Sequence, residues 1–269
     1  MGKGSLTFIG LGLYDELDIS LKGIQKIKNC DKVFAEFYTA KLVGTDTKKI
    51  EKIIDKKIEV LNREQTEKGD IIIQAIENYN VAFLTAGDPM TATTHVDLRI
   101  RAVKQGIETY VIHGSSIVTA VSGLLGLQNY KFGRTTTLAY PEKDYFPTSP
   151  YDVIKDNQKI GLHTLVLLDI QADKERYMTA NEGLKLLLEM ENKVHGNIIS
   201  KKTIACVVAR AGSKKPILRA DTIENLVKMD FGKPFHSLVI PGKFHFMEIE
   251  ALQALAQLPA YLEEKLQKI

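Results

Sequence analysis

Thr85-Ala86-Gly87-Asp88-Pro89-Met90 follows the apolar run Val81-Ala82-Phe83-Leu84. The run reads as a short buried strand, and the residues after it as a turn with no bulky side chain at its centre. Gly87 can take backbone conformations that a Cβ disfavours. Pro89 fixes φ and stops the strand. Asp88 lies between them at the strand's carboxyl end, where open α/β sheets place their ligands. Such a loop offers main chain and one carboxylate to a small molecule. Gly-Asp-Pro is also common turn chemistry, so the turn alone does not decide between the two readings.

On both sides of this turn, strand and helix patterns alternate. Leu6 to Leu13 is apolar and Gly-punctuated, a buried strand running into a loop. Asp18-Ile19-Ser20 opens an amphipathic helix with Leu21, Ile24 and Ile27 on one face, and Asp18 or Ser20 as its N-cap. Lys32 to Phe37 reads as a second strand and Ile58 to Leu61 as a third. Asp70 to Tyr79 and Val96 to Gln105 read as helices, the latter closed by Gly106. Thr109 to Ile112 is another strand. Single β-α-β crossovers predict a mostly parallel sheet.

The second half differs. Arg134 to Ala139, Thr164 to Leu168, Thr203 to Ala209, Ile217 to Ala220 and Ser237 to Ile240 read as strands. Thr179 to Val194, Thr222 to Lys228 and Phe246 to Ala256 read as helices. Strands in closer succession predict a mixed sheet. The expected fold class is therefore α/β in two domains, residues 1–113 and 114–269, with a hinge near His113-Gly114. Pro141 to Pro150 reads as a polar, Pro-bearing loop.

The composition fits a globular protein with a proper core: 269 residues, 44% apolar and 26% charged. A net charge of +3 does not argue for nucleic acid and is compatible with an acidic protein partner. No apolar stretch approaches the roughly 20 residues of a membrane span. Cys30 and Cys206 are the only cysteines, and neither has a second Cys or a His at zinc-site spacing, so no metal is expected. Two cysteines without a disulfide framework suit a reducing cytoplasm.

Phe8-Ile9-Gly10-Leu11-Gly12-Leu13 invites a dinucleotide-binding reading, which fails because Asp15 stands at the third glycine position. Gly10 and Gly12 either bring backbone close to something flat or allow strand-on-helix packing. In Thr93-Thr94-His95 the hydroxyls can cap a helix, and His95 can be a base or a structural residue. In His113-Gly114-Ser115-Ser116-Ile117 a serine can cap a helix whose start attracts a carboxylate. His163 and His236 stand at strand boundaries, as satisfied structural residues or beside main chain that meets an adenine edge. Glu36-Phe37-Tyr38 closes a strand, either as an exposed end or as a carboxylate and aromatic that meet a cationic amine. No Ser-His-Asp, Cys-His or paired-carboxylate constellation stands out, and no catalytic residue is assigned.

Several longer motifs point to one family: Ile9-Gly10-Leu11-Gly12-Leu13-Tyr14-Asp15-Glu16, Ala35-Glu36-Phe37-Tyr38-Thr39 and Gly87-Asp88-Pro89-Met90-Thr91-Ala92-Thr93-Thr94-His95. Lys131-Phe132-Gly133-Arg134-Thr135, Gly161-Leu162-His163-Thr164-Leu165 and Ala209-Arg210-Ala211-Gly212-Ser213 belong with them. From about residue 5 to about residue 258 the chain resembles the diphthine synthases, within the tetrapyrrole-methylase-like superfamily. The resemblance implies a two-domain, homodimeric methyltransferase that binds S-adenosylmethionine in the cleft between its domains and releases S-adenosylhomocysteine. The implied substrate is translation elongation factor 2, on which the family trimethylates the amino nitrogen of a 3-amino-3-carboxypropyl histidine during diphthamide biosynthesis. Family cofactor contacts fall here on Leu13, Asp88, Thr91, Ser116, Ile117, Leu168, Ala211 and His236. Glu36, Tyr38 and His113 are candidates for substrate orientation or proton uptake, and Lys143 to Tyr145 for contact with the protein partner. Methylation of a corrinoid or porphyrin precursor, or nucleotide binding without turnover, are the competing readings.

Overall fold

The computed structural model describes residues 3–38, 40–143 and 145–266. Thr39 and Asp144, each part of a motif quoted above, lie outside the described residues. The chain forms two compact units: Met1–Ile117 with Ile170–Glu175, and Val118–Asp169 with Arg176–Ile269.

The first unit runs β1 (Ser5–Gly10), α1 (Leu21–Lys28), β2 (Lys32–Glu36), α2 (Thr47–Ile54), β3 (Glu59–Leu61), α3 (Arg63–Lys68), α4 (Asp70–Ile76), β4 (Val81–Thr85), α5 (His95–Lys104) and β5 (Glu108–Ile112). Its five strands lie in the order β3-β2-β4-β1-β5, with all four neighbour pairs parallel. This is the parallel sheet that the sequence predicts. Side chains alternate between its two faces. Ile9, Val33, Ala35 and Leu84 pack with Ile27, Ile50 and Ile54 of α1 and α2. Leu6, Phe8, Phe34 and Phe83 pack with Ile72, Ile76 and Leu98 of α4 and α5. Covering both faces explains why the strands read as continuous apolar runs. Each fully buried Leu, Ile or Phe contributes about 1.5–3 kcal/mol.

The second unit continues with α6 (Ile117–Leu125), β6 (Thr136–Leu138), α7 (Ser149–Lys159) and β7 (Thr164–Leu168). Two short strands follow in the chain, β8 (Ile170–Gln171), which is counted with the first unit, and β9 (Arg176–Tyr177), then α8 (Ala180–Val194), β10 (Ile204–Ala209), β11 (Ile217–Thr222), α9 (Ile223–Leu226), β12 (His236–Ile240) and α10 (Phe246–Ala256). Its sheet has the order β11-β10-β12-β7-β6, with β6 and β7 parallel and the other neighbours antiparallel. This is the expected mixed sheet.

Four helices go beyond the sequence reading: α2, α3, α7 and a short C-terminal one, Glu263–Leu266. Of these, α7 corrects the loop drawn to Pro150, because Ser149 and Pro150 are already its first residues. A proline in the first helical turn loses no hydrogen bond and arrives with helical φ. The helix expected over Thr222 to Lys228 shortens to α9, since β11 continues through Thr222. Cys30 and Cys206 are free and buried, and burial pushes the Cys206 thiol up to about 12. Among the described residues no helix is long and apolar enough to cross a membrane, and no cluster of His, Cys, Asp and Glu could hold a metal ion.

Candidate active site

Strand order makes the site. From β1 the chain leads toward β2, and from the adjacent β4 it leads the other way to β5. Neighbouring strands whose connections diverge leave a crevice at their carboxyl ends. Three loops meet there, after β1, β4 and β5. Leu11 N–H donates to Thr85 O at 2.8 Å and Gly87 N–H to Gly12 O at 2.7 Å. A Cβ at Gly10 would stand 2.5 Å from both Gly87 O and Gly114 N, and one at Gly114 only 2.4 Å from Gly87 O. The three loops thus pack main chain on main chain, and the Gly10 requirement is internal packing. Gly87 is different: its φ is +74°, and no atom lies within 4 Å of the place its Cβ would take. That open space beside exposed backbone suits a flat or slender ligand group, as the implied methyl donor requires.

Asp88 organises the loop after β4. Its Oδ1 accepts from Met90 N–H at 2.9 Å and from Thr91 Oγ1 at 3.2 Å. Its Oδ2 lies 2.7 Å from His113 Nδ1 and accepts from Gly114 N–H at 3.3 Å. Burial pushes this carboxyl up, but the Met90 N–H and the His113 ring outweigh it and hold it below its ordinary value. The carboxylate is therefore shared between its own loop and the loop after β5, and is buried. His113 at its side is 73% exposed.

The other predicted residues of the first unit lie at the same carboxyl ends. Leu13, half-buried, donates its N–H to Asp18 Oδ2 at 3.2 Å. Ser20, and not Asp18, caps α1, accepting from Gly23 N–H at 3.0 Å. Thr91 N–H bonds Asp88 O at 3.3 Å. Ser116 is buried just before α6, and Ile117 is the first residue of that helix. Thr94 makes no side-chain cap on α5. Instead Thr93 Oγ1 donates to Pro89 O at 3.0 Å, and His95 Nδ1 meets the same carbonyl at 3.0 Å. His95 Nε2 faces Glu36 Oε1 at 3.4 Å, with both side chains essentially fully buried. Glu36, read as an exposed strand end or an amine-binding group, is therefore a core carboxylate that also accepts from Tyr38 N–H at 3.0 Å. Burial, then the Glu36 carboxylate, push the Tyr38 phenol up.

In the second unit, Leu168 ends β7, Ala211 follows β10 and His236 begins β12. The registers Ser237–Leu167 and Ala209–His236 bring all three to one end of that sheet. His236 accepts from Ala180 N–H at Nδ1 (3.1 Å) and reaches Lys233 O from Nε2 (3.1 Å). Its ring is held neutral, burial pushing its pKa down, so the ring edge has no free nitrogen to offer a ligand. His163 is also structural. Its Nδ1 accepts from Gly242 N–H at 3.0 Å, so its Nε2 proton faces Glu248 Oε1 at 3.0 Å. Glu248 further pairs with Lys131 Nζ and accepts from the N–H groups of Gln128 and His245. Sequence reasoning missed the Asp88–His113, Glu36–His95 and His163–Glu248 pairs. The available signal was that Asp88 and His113, and likewise Glu36, sit at strand carboxyl ends.

Residues 5–227 match the family described as Tetrapyrrole (Corrin/Porphyrin) Methylases. The chain is 55% identical over 251 residues to a diphthine synthase of Methanococcus maripaludis (strain C5), covering 93% of this chain and 98% of that protein. It is 52% identical over 265 residues to a diphthine synthase of Methanosarcina acetivorans, covering 97% and 99%. A crystal structure of a diphthine synthase superposes with a TM-score of 0.87 at 38% identity, covering 97% of this chain and 99% of that one.

Proposed function

The chain belongs to the tetrapyrrole methylases and, among them, to the diphthine synthases, and from that premise we propose how it works. It is an S-adenosylmethionine-dependent methyltransferase of diphthamide biosynthesis. Its substrate is translation elongation factor 2, and the methyl groups go to the amino nitrogen of the 3-amino-3-carboxypropyl histidine until it is trimethylated. It works in the cytoplasm as a homodimer, with residues 1–113 and 114–269 as its two domains. Leu13, Asp88, Thr91, Ser116, Ile117, Leu168, Ala211 and His236 hold the methyl donor. Lys143 and Tyr145 touch the elongation factor. The observation that carries this reading is the near-full-length match, at 52–55% identity, to diphthine synthases of Methanococcus and Methanosarcina.

The chemistry asks for what these loops can give. Methyl transfer from a sulfonium is an in-line displacement by a neutral nitrogen. Positioning the partners can supply about 7–11 kcal/mol of the barrier. Main chain packed on main chain at Gly10, Gly87 and Gly114 makes a stiff platform for that positioning. The test is incubation with S-adenosylmethionine and elongation factor 2 carrying the aminocarboxypropyl histidine, read by intact mass. Stepwise gain of methyl groups is the expected result; an unchanged mass with the methyl donor still bound would reject the reading.

A further inference from the structure

The substrate nitrogen arrives as an ammonium and has no lone pair until it loses a proton. This requirement rests on the methyltransferase reading above. The same end of the first sheet carries a side chain built to meet it. His113 follows β5, whose Ile112 pairs with Ile9 of β1. Its Nδ1 is 2.7 Å from Asp88 Oδ2. A carboxylate can only accept, so the proton between them sits on Nδ1 and the lone pair sits on Nε2. Asp88 is itself fixed by Met90 N–H, Thr91 Oγ1 and Gly114 N–H and is buried, so the ring is oriented by a group that cannot easily move. The carboxyl lies below its ordinary value and stays ionised across the neutral range. With 73% of its side chain exposed, the ring can reach a protein-borne amine and then release a proton to water. Asp88 is the ionisable group set against the ring; the neighbouring segments Gly10 to Leu13 and Gly114 to Ser116 bring none.

We propose that His113 is the general base of the reaction, its Nε2 taking a proton from the substrate ammonium before each methyl transfer, with Asp88 as the positioning residue that holds its Nδ1–H. An N–H bond of the ammonium breaks, its electron pair stays on nitrogen and the proton goes to Nε2. The freed pair then forms the N–CH3 bond as the sulfur–methyl bond breaks, and that pair leaves with sulfur as S-adenosylhomocysteine. The imidazolium, stabilised by Asp88, returns its proton to solvent and is ready for the next cycle. One exposed base thus serves every round, because each methylated ammonium must be deprotonated again until no N–H is left.

Wild-type protein is first assayed by intact mass as above; failure there rejects the proposed function, and His113 then has no substrate to deprotonate. With an active wild type, His113→Gln should slow transfer at neutral pH by about 10²–10⁴-fold, the usual contribution of a positioned base. The deficit should shrink as pH rises and the substrate ammonium loses its proton unaided, while binding of S-adenosylmethionine by calorimetry stays within a few-fold of wild type. Added imidazole should partly restore His113→Ala. In the protein without methyl donor, 15N NMR of the neutral ring should show the proton on Nδ1. A variant with wild-type rate at neutral pH, a deficit equal at every pH, or a ring protonated on Nε2 would each overturn the assignment.

Discussion

At Gly10 a single hydrogen atom in place of a methyl lets three loops touch. The Cβ of any other residue would press on Gly87 O and Gly114 N, both main-chain atoms of neighbouring loops that cannot swing aside. Gly10→Ala should therefore destabilise by about 1–3 kcal/mol, as overpacking does, and weaken binding of the methyl donor together with folding. Urea denaturation and calorimetry on the same samples check both effects. Gly87→Ala meets no atom but forces a methyl-bearing residue to φ +74° and fills the open space beside the loop. It should lower donor affinity more than it lowers stability. The sequence made Asp88 legible as a strand-end carboxylate, because Gly-Asp-Pro after an apolar run says where the strand stops. It did not reveal the pairing with His113, 25 residues on. That contact depends on which strands become neighbours, and local composition does not encode strand order. Glu36 was misread for a related reason: nothing adjacent to it announces that His95 will cover it.

Explicit ends helped in some helices and did not suffice in others: α3 was missed although Asn62 and Gln65 cap it reciprocally, and α5 was read although Thr94 makes no side-chain cap. For α8, Thr179 accepts from Glu182 N–H while the Glu182 side chain accepts from Thr179 N–H, a reciprocal cap written plainly in Thr-x-x-Glu. Thr179→Ala should cost about 1 kcal/mol, seen as a lower urea midpoint with an unchanged m-value and unchanged donor affinity. α2 and α3 end at Asp55 and Gly69 in left-handed backbone; α2 was missed although Ile50, Ile53 and Ile54 share one face, and α3 is a short polar run without an apolar face. In α7 the misleading mark was Pro150, a helix starter taken for a loop residue. The strands were legible as runs because burial on both faces makes them apolar throughout. Their boundaries moved by one or two residues, as element ends generally do.

For the molecule as a whole, Glu248 links stability to pH. Burial raises its carboxyl, but His163, the His245 N–H and Lys131 outweigh that and bring it to about 2. The folded value lies below the unfolded one, so the stabilisation is fully present above about pH 4.5 and is lost as pH falls toward 2. The lost amount is on the order of 3 kcal/mol. Glu248→Gln should remove much of that acid dependence and, by stranding Lys131, destabilise the neutral protein by about 3–5 kcal/mol. Urea midpoints measured from neutral to acid pH for both proteins separate the two effects. Two α/β units with one parallel and one mixed sheet were legible from the order of strand and helix patterns. The residues that lie together at the strand ends were not, since they come from segments far apart in the chain.

The order β3-β2-β4-β1-β5 also bears on how the protein is made. β1 leaves the ribosome before either of its partners and finds none in the segments that follow it directly: Leu6 pairs with Val81 and Ser5 with Glu108. During synthesis β1 must wait, apolar and with both edges open, until β4 has emerged. Long-range parallel pairing of this kind slows folding, and a waiting apolar strand is a natural client for chaperones that shield nascent chains.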